Sequence, residues 1–243
     1  MLLRKLTQHV QDQNWFAVVL DFFIVVIGVF IGIQVANWND VQQDKAGLAA
    51  SLERLDKELV QNLDMIERVL VNFEEGQADL DLGRDALNAC AGSPEAVAAL
   101  ERSFFAFVED VQPNFVDFAL NQLARHDRHL ALLSPQFQDD FRFYAGRLKE
   151  ESEQLTSHYD NMWSHNVVRH PGISAYFSAD SETYEGWGFA LDRPFEAMCA
   201  DASFRNRYIN TIGFYTSINN RLIRFREDAE RFQSALRNER ERN

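Results

Sequence analysis

Basic residues are in short supply: 24 Lys and Arg stand against 37 Asp and Glu, for a net charge of −13. That balance excludes a nucleic-acid binder that relies on a basic surface. Cysteine is scarcer still, with only Cys90 and Cys199, so the chain is no disulfide-dense scaffold. The pair permits one long-loop disulfide in an oxidising compartment and equally permits two buried thiols. Catalytic signatures are missing as well. There is no Gly-x-Ser-x-Gly, no Ser-x-x-Lys and no phosphate-binding glycine loop, and neither cysteine has the context of a nucleophile. Carboxylate pairs such as Glu74-Glu75, Asp139-Asp140 and Glu150-Glu151 are sequence neighbours, which diverge around a helix and cannot share a proton. The residues therefore point to no enzyme and to no cofactor. With 46% hydrophobic and 25% charged residues, the composition also excludes a disordered or collagenous chain.

What stands out is one apolar run. Residues 16–36 read FAVVLDFFIVVIGVFIGIQVA, broken only by Asp21, Gly28, Gly32 and Gln34. As a helix this run is roughly 31 Å long and matches a hydrocarbon core of about 30 Å. Trp15 and Trp38 bracket it roughly 35 Å apart, which suits one indole at each headgroup layer. A core helix of a soluble protein is the alternative, and it would need a core that surrounds the whole run. No Ala-x-Ala cleavage site follows, so the reading is an uncleaved anchor. Arg4 and Lys5 favour a cytoplasmic amino terminus, with everything after about residue 40 on the far side.

Two features inside the run are more specific than its hydrophobicity. Gly28-Val29-Phe30-Ile31-Gly32 is a G-x-x-x-G element, which lets helix backbones approach closely; chance spacing in a glycine-tolerant helix gives the same pattern. Asp21 lies roughly 7 Å inside the apolar boundary, where a carboxylate calls for a partner or a water path. Asp21, Gly28 and Gly32, separated by 7 and 4 positions, share a helical face. That face is the candidate helix–helix interface, although Asp21 within reach of inner headgroups and water is the plainer account of that residue.

An acidic residue, an aliphatic stretch, Gly28-Val29-Phe30-Ile31-Gly32-Ile33-Gln34 and then Asn37-Trp38-Asn39 together resemble the N-terminal signature of an uncharacterised family of bacterial single-pass membrane proteins. The likeness covers about residues 15 to 40, with Asp21 where that family commonly has Glu. It implies a bacterial envelope protein with a mostly helical domain after the membrane helix, and it carries no activity onto any residue.

Beyond Asn39 no proline occurs until Pro94. Leu48, Leu52, Leu55, Leu59, Leu63, Ile66, Leu70 and Phe73 recur at steps of three and four, with one stutter between Leu55 and Leu63. This predicts a long amphipathic, coiled-coil-like helix continuing from the membrane. Its stripe could pack within one chain or between subunits. The intervening Glu53, Arg54, Asp56, Lys57, Glu58, Glu67 and Arg68 read as solvated. Ser93-Pro94 and Ser134-Pro135 read as N-cap followed by proline in the first helical turn. They open helices to about Asp110 and towards His165, with a further helix expected from Asn114 to Leu133. Residues 169–194, rich in Gly, Pro and aromatics, read as an ordered loop or short hairpin. The last helix is expected from Phe204 to about Arg237. If it packs antiparallel to the first, Arg237, Arg240 and Arg242 would lie near the outer headgroups.

The expected class is all-α: a tail (1–14, interfacial through Leu2, Leu3, Leu6 and Val10), a transmembrane helix (15–38) and an extended helical bundle (39–243) in the periplasm. His126 and His129 are the best metal candidate, but Arg125 and Arg128 flank them and no third ligand is apparent, which favours a plain surface helix. Trp163, Tyr184 and Trp187 mark the one region with the character of a partner patch; rings filling the end of the bundle are the alternative. The expected function is that of a structural or accessory protein of the bacterial inner membrane, acting by self-association or by binding another envelope protein. Its partners would be the lipid bilayer and further copies of itself. Rival readings are an ion-conducting oligomer using Asp21 and a periplasmic ligand sensor that relays through a partner.

Overall fold

The computed structural model describes residues 15–108, 113–177 and 187–242. The tail expected at 1–14, Tyr184, and the side chains of Trp15 and Trp187 lie outside the described residues. The first element, α1 (Trp15–Ala89), is one unbroken helix of 75 residues. Lack of proline allows that length, and it makes the apolar run and the amphipathic stripe two parts of one rod. The rod stops where Cys90 adopts a left-handed backbone, φ 50°, the conformation in which many helices terminate. Ser93 then caps α2 (Pro94–Ala106), its Oγ accepting from the Ala96 amide at 3.2 Å with Pro94 in the first turn. In the same way Ser134 opens α5 (Pro135–His165), accepting from the Phe137 amide at 3.2 Å.

Residues 114–133 do not form one helix. They divide into α3 (Phe118–Ala124) and α4 (Asp127–Leu132), after an irregular stretch at 113–117. The cause lies on α1, at the stutter. Where the apolar register slips, Glu58 and Asn62, one turn apart, face inward, at 7% and 1% exposure. Asn62 binds both backbone groups of Val116, each at 2.8 Å, which holds that stretch out of helical geometry. Glu58 accepts from the amides of Ala119 and Leu120 at 2.6 and 3.1 Å. It caps α3 in place of Asp117, whose side chain makes no cap bond. Glu58 is thus an interior residue and not a solvated one. A neutral side chain could not satisfy two orphan amides as a carboxylate does.

A short 3-10 turn (Val167–Arg169) leads into an antiparallel hairpin, β1 (Ile173–Phe177) with β2 (Trp187–Leu191), in the register Ile173 to Leu191 and Phe177 to Trp187. After α6 (Phe195–Ala200), α7 (Ala202–Arg242) returns the length of the domain. The class is all-α with this one small hairpin added.

The three long helices meet along apolar stripes. From α1 come Leu48, Leu52, Leu55, Leu59, Ile66 and Phe73; from α5, Phe137, Phe141, Tyr144, Leu148 and Leu155; from α7, Tyr208, Tyr215, Leu222, Phe225, Phe232 and Leu236, all buried. Arg226 pairs with Glu67 at 3.1 Å, the Tyr215 ring sits 4.1 Å from Phe73, and Cys199 is joined to Cys90 with Cα atoms 5.6 Å apart. These contacts fix α7 antiparallel to α1. Tyr144 stacked on Phe232 at 4.4 Å, and Arg147 on Asp228 at 2.9 Å, fix it antiparallel to α5. The α1 stripe is therefore covered by its own chain. Close approach at the far end requires Gly83, where a Cβ would lie 2.5 Å from the Tyr208 hydroxyl and 3.1 Å from the Leu100 Cα.

The carboxy-terminal arginines lie far from the apolar run. Arg240 pairs with Asp56, which is 18 residues, or roughly 27 Å of helix, beyond Trp38. Arg242 folds onto Glu239 and donates to the Leu132 carbonyl at 3.0 Å. These side chains clamp helix ends together.

Candidate functional site

Among the described residues, α1 is the one helix long and apolar enough to cross a membrane, and its most apolar stretch is entirely uncovered by the rest of the chain. Phe22 is 64% exposed and Phe30 60%. A core helix would show the opposite, because burying such side chains is worth about 1.5–3 kcal/mol each. The contrast with residues 48–73 of the same helix, whose apolar side chains are mostly buried, is sharp. Trp38, 65% exposed, marks one end of the stretch.

Asp21, Gly28 and Gly32 lie within about 40° of one another around the helix. At both glycines an added Cβ would meet nothing within 4 Å. Packing within the chain explains Gly83, but it does not explain these two. Gly146 and Gly213 are equally open; Gly28 and Gly32 differ in lying on an apolar stretch with no cover of its own.

Of the aromatic region, Trp163 and the two hairpin strands fall among the described residues. Trp163 is half exposed with the Arg169 guanidinium 5.5 Å from its ring. Phe189 turns inward against Phe104 and Phe105, at 6.3 and 5.3 Å between centroids, and the Leu191 amide donates to Glu101 at 3.0 Å. This inner face of the hairpin fills the end of the helical domain. Tyr176 and Phe177, which point to opposite faces of the hairpin, both remain exposed.

His126 and His129 stack at 4.8 Å. His129 lies 3.5 Å from the Ser51 hydroxyl, and desolvation, reinforced by His126, holds it below its ordinary value. No group of three or more metal-ligating side chains occurs among the described residues.

Other interior carboxylates face fixed partners. Glu151 lies 2.9 Å from both Arg147 and Arg221, Asp228 is held by Arg147 and Arg231, and Glu239 takes the amide and hydroxyl of Ser134 at 2.9 and 2.6 Å. Such groups brace helices. Their signal was present in the sequence: Asp228 and Glu239 stand three residues after Phe225 and Leu236, in core register, and Glu58 and Asn62 sit at the stutter. A cavity of about 290 Å³ between the end of α1 and the start of α7 is lined by Arg84, Asn88, Arg205 and Tyr208. Burial pushes the Tyr208 phenol up to about 12. Its hydroxyl lies 3.0 Å from Ser103 and donates to the Leu80 carbonyl at 3.4 Å, so it is engaged within the fold.

Compared with known proteins, the chain matches no family model, no curated protein and no solved structure.

Proposed function

We propose that this chain is a single-pass protein of the bacterial inner membrane that acts by association, as a structural or accessory component of the envelope. The observation that carries this is the division of α1. Its stripe from Leu48 onward is covered within the chain, whereas the stretch before it is bare and presents Gly28 and Gly32 to open space. A bare apolar length matched to the bilayer is satisfied by lipid. Its glycine face is then free for a second helix, with Asp21 on the same side to share a polar contact. The Cys90–Cys199 bond supports a helical domain on the oxidising, periplasmic side.

Self-association through Asp21, Gly28 and Gly32 is the form of this reading that the geometry supports best, and the membrane segment carries it alone, since the α1 stripe is already covered. Native mass spectrometry of the full-length protein, released from membranes under mild conditions, tests it alongside Gly28→Leu and Asp21→Asn. A homo-oligomer that both variants dissociate is the expected result. A wild-type monomer without any other subunit would refute association, and a monomer bound to a different protein would move the contact to that partner.

A further inference from the structure

We propose that the turn joining α3 to α4, led by Arg125, is a docking surface for anionic phospholipid headgroups, which fixes how the helical domain stands on the bilayer. The proposal rests on the reading of residues 16–36 as the membrane span. Because α1 is one continuous helix, distance from the membrane can be counted along it. Arg128 lies 3.7 Å from Asp44, only six residues or about 9 Å beyond Trp38. His129 packs beside it, against Gly47, where a Cβ would lie 2.9 Å from the ring Nε2.

The direction of both short helices follows from their contacts. Ala119 and Leu120, at the start of α3, bind Glu58, about 30 Å beyond Trp38. Leu132, at the end of α4, meets Arg242. So α3 descends towards the bilayer, α4 climbs away, and the turn between them is the part of the domain, among the described residues after α1, that lies nearest the span. The headgroup layer extends roughly 5–7 Å beyond the hydrocarbon core, and side chains at this level can span what remains.

The chemistry of the turn fits the layer. Arg125, His126, Asp127 and Arg128 are all exposed, and no residue of α4 is buried. Of the acids close by, Asp44 is held by Arg128, Asp127 sits in the first turn of α4, where the helix dipole favours it, and Asp40 is exposed on α1 one turn nearer the span. Arg125 has no ion pair among the described residues, and Lys45 is exposed on α1 nearby. In a chain of net charge −13, an unpaired guanidinium on the part of the described domain nearest the span is where a phosphate would bind.

The test uses the full-length protein in lipid nanodiscs, with a bimane fluorophore on Ala124→Cys at the turn and, separately, on Val25→Cys in the span. Lipids carrying a nitroxide on the headgroup quench the first site, and lipids carrying it on the acyl chain quench the second. Turn quenching should be stronger in phosphatidylglycerol-containing discs than in pure phosphatidylcholine. Arg125→Glu should weaken lipid contact by about fivefold or more, as expected for a cation at an anionic surface, and Arg125→Gln should fall between. Quenching at the turn that is absent, equal in both lipids or indifferent to Arg125 overturns the proposal while Val25 remains quenched. If Val25 is not quenched either, the membrane span itself is refuted.

Discussion

Glu58 offers the sharpest test of how this domain is held together. Its carboxylate, on α1 and 7% exposed, is the acceptor for the Ala119 and Leu120 amides at the start of α3. A hydrogen bond to a charged group contributes about 1.5–3 kcal/mol, and an orphaned buried amide costs a comparable amount. Glu58→Ala should therefore destabilise the domain by about 3 kcal/mol, or about 6–12 °C in melting temperature for a domain of this size. Glu58→Gln keeps one acceptor oxygen but turns an NH2 towards the other amide, so about half of that loss is expected. Thermal unfolding of the full-length protein in nanodiscs, followed by circular dichroism, gives the global effect. Hydrogen exchange of peptides spanning 113–124 gives the local one, which should rise before the rest of the domain opens. Unchanged melting in Glu58→Ala, with unchanged exchange over α3, would refute the capping role.

Gly83→Ala should lower stability by about 1–3 kcal/mol through overpacking, against a helix-propensity gain of at most about 1 kcal/mol; adding Tyr208→Phe should recover part of the loss in urea titrations. Reduction of Cys90–Cys199 should cost about 2–4 kcal/mol; thiol labelling before and after reductant checks the bond, and two reactive thiols in untreated protein would count against it. His170, buried and accepting from the Gly172 amide at 3.1 Å through Nδ1, is held below its ordinary 6.5 by desolvation, which outweighs the nearby Asp201. Just below that pH the unfolded chain binds the extra proton. Stability is thus full above about 6.5 and falls as the pH drops through the folded-state value. His129 acts in the same sense. His170→Phe should flatten the decline, and a pH profile identical to wild type would argue against it.

Much of the long-range order could be read before any coordinates. Periodicity and the missing proline predicted that the apolar run and the Leu48–Phe73 stripe belong to one helix, because an α-helix continues wherever nothing in the chain breaks it. The Ser93-Pro94 and Ser134-Pro135 starts were equally legible, since capping is local chemistry written in adjacent residues. The Asn114–Leu133 stretch failed for the opposite reason. Its breaking depends on Asn62 and Glu58, more than fifty residues earlier in the chain, and local propensity contains no trace of such a partner.

By itself, then, the sequence determined the elements: a bilayer-length apolar segment, the amphipathic stripes and the glycine face with Asp21, all set by composition and spacing within a few turns. Tertiary structure alone decided which surfaces remain free. Whether the α1 stripe would face its own chain or another copy depended on α5 running parallel and α7 antiparallel along it. The same packing set the carboxy-terminal arginines far along α1 from the apolar run and brought the α3–α4 turn nearer to it. Those outcomes arise from contacts between residues far apart in the chain, where burial of complementary stripes outweighs any preference a single segment can express.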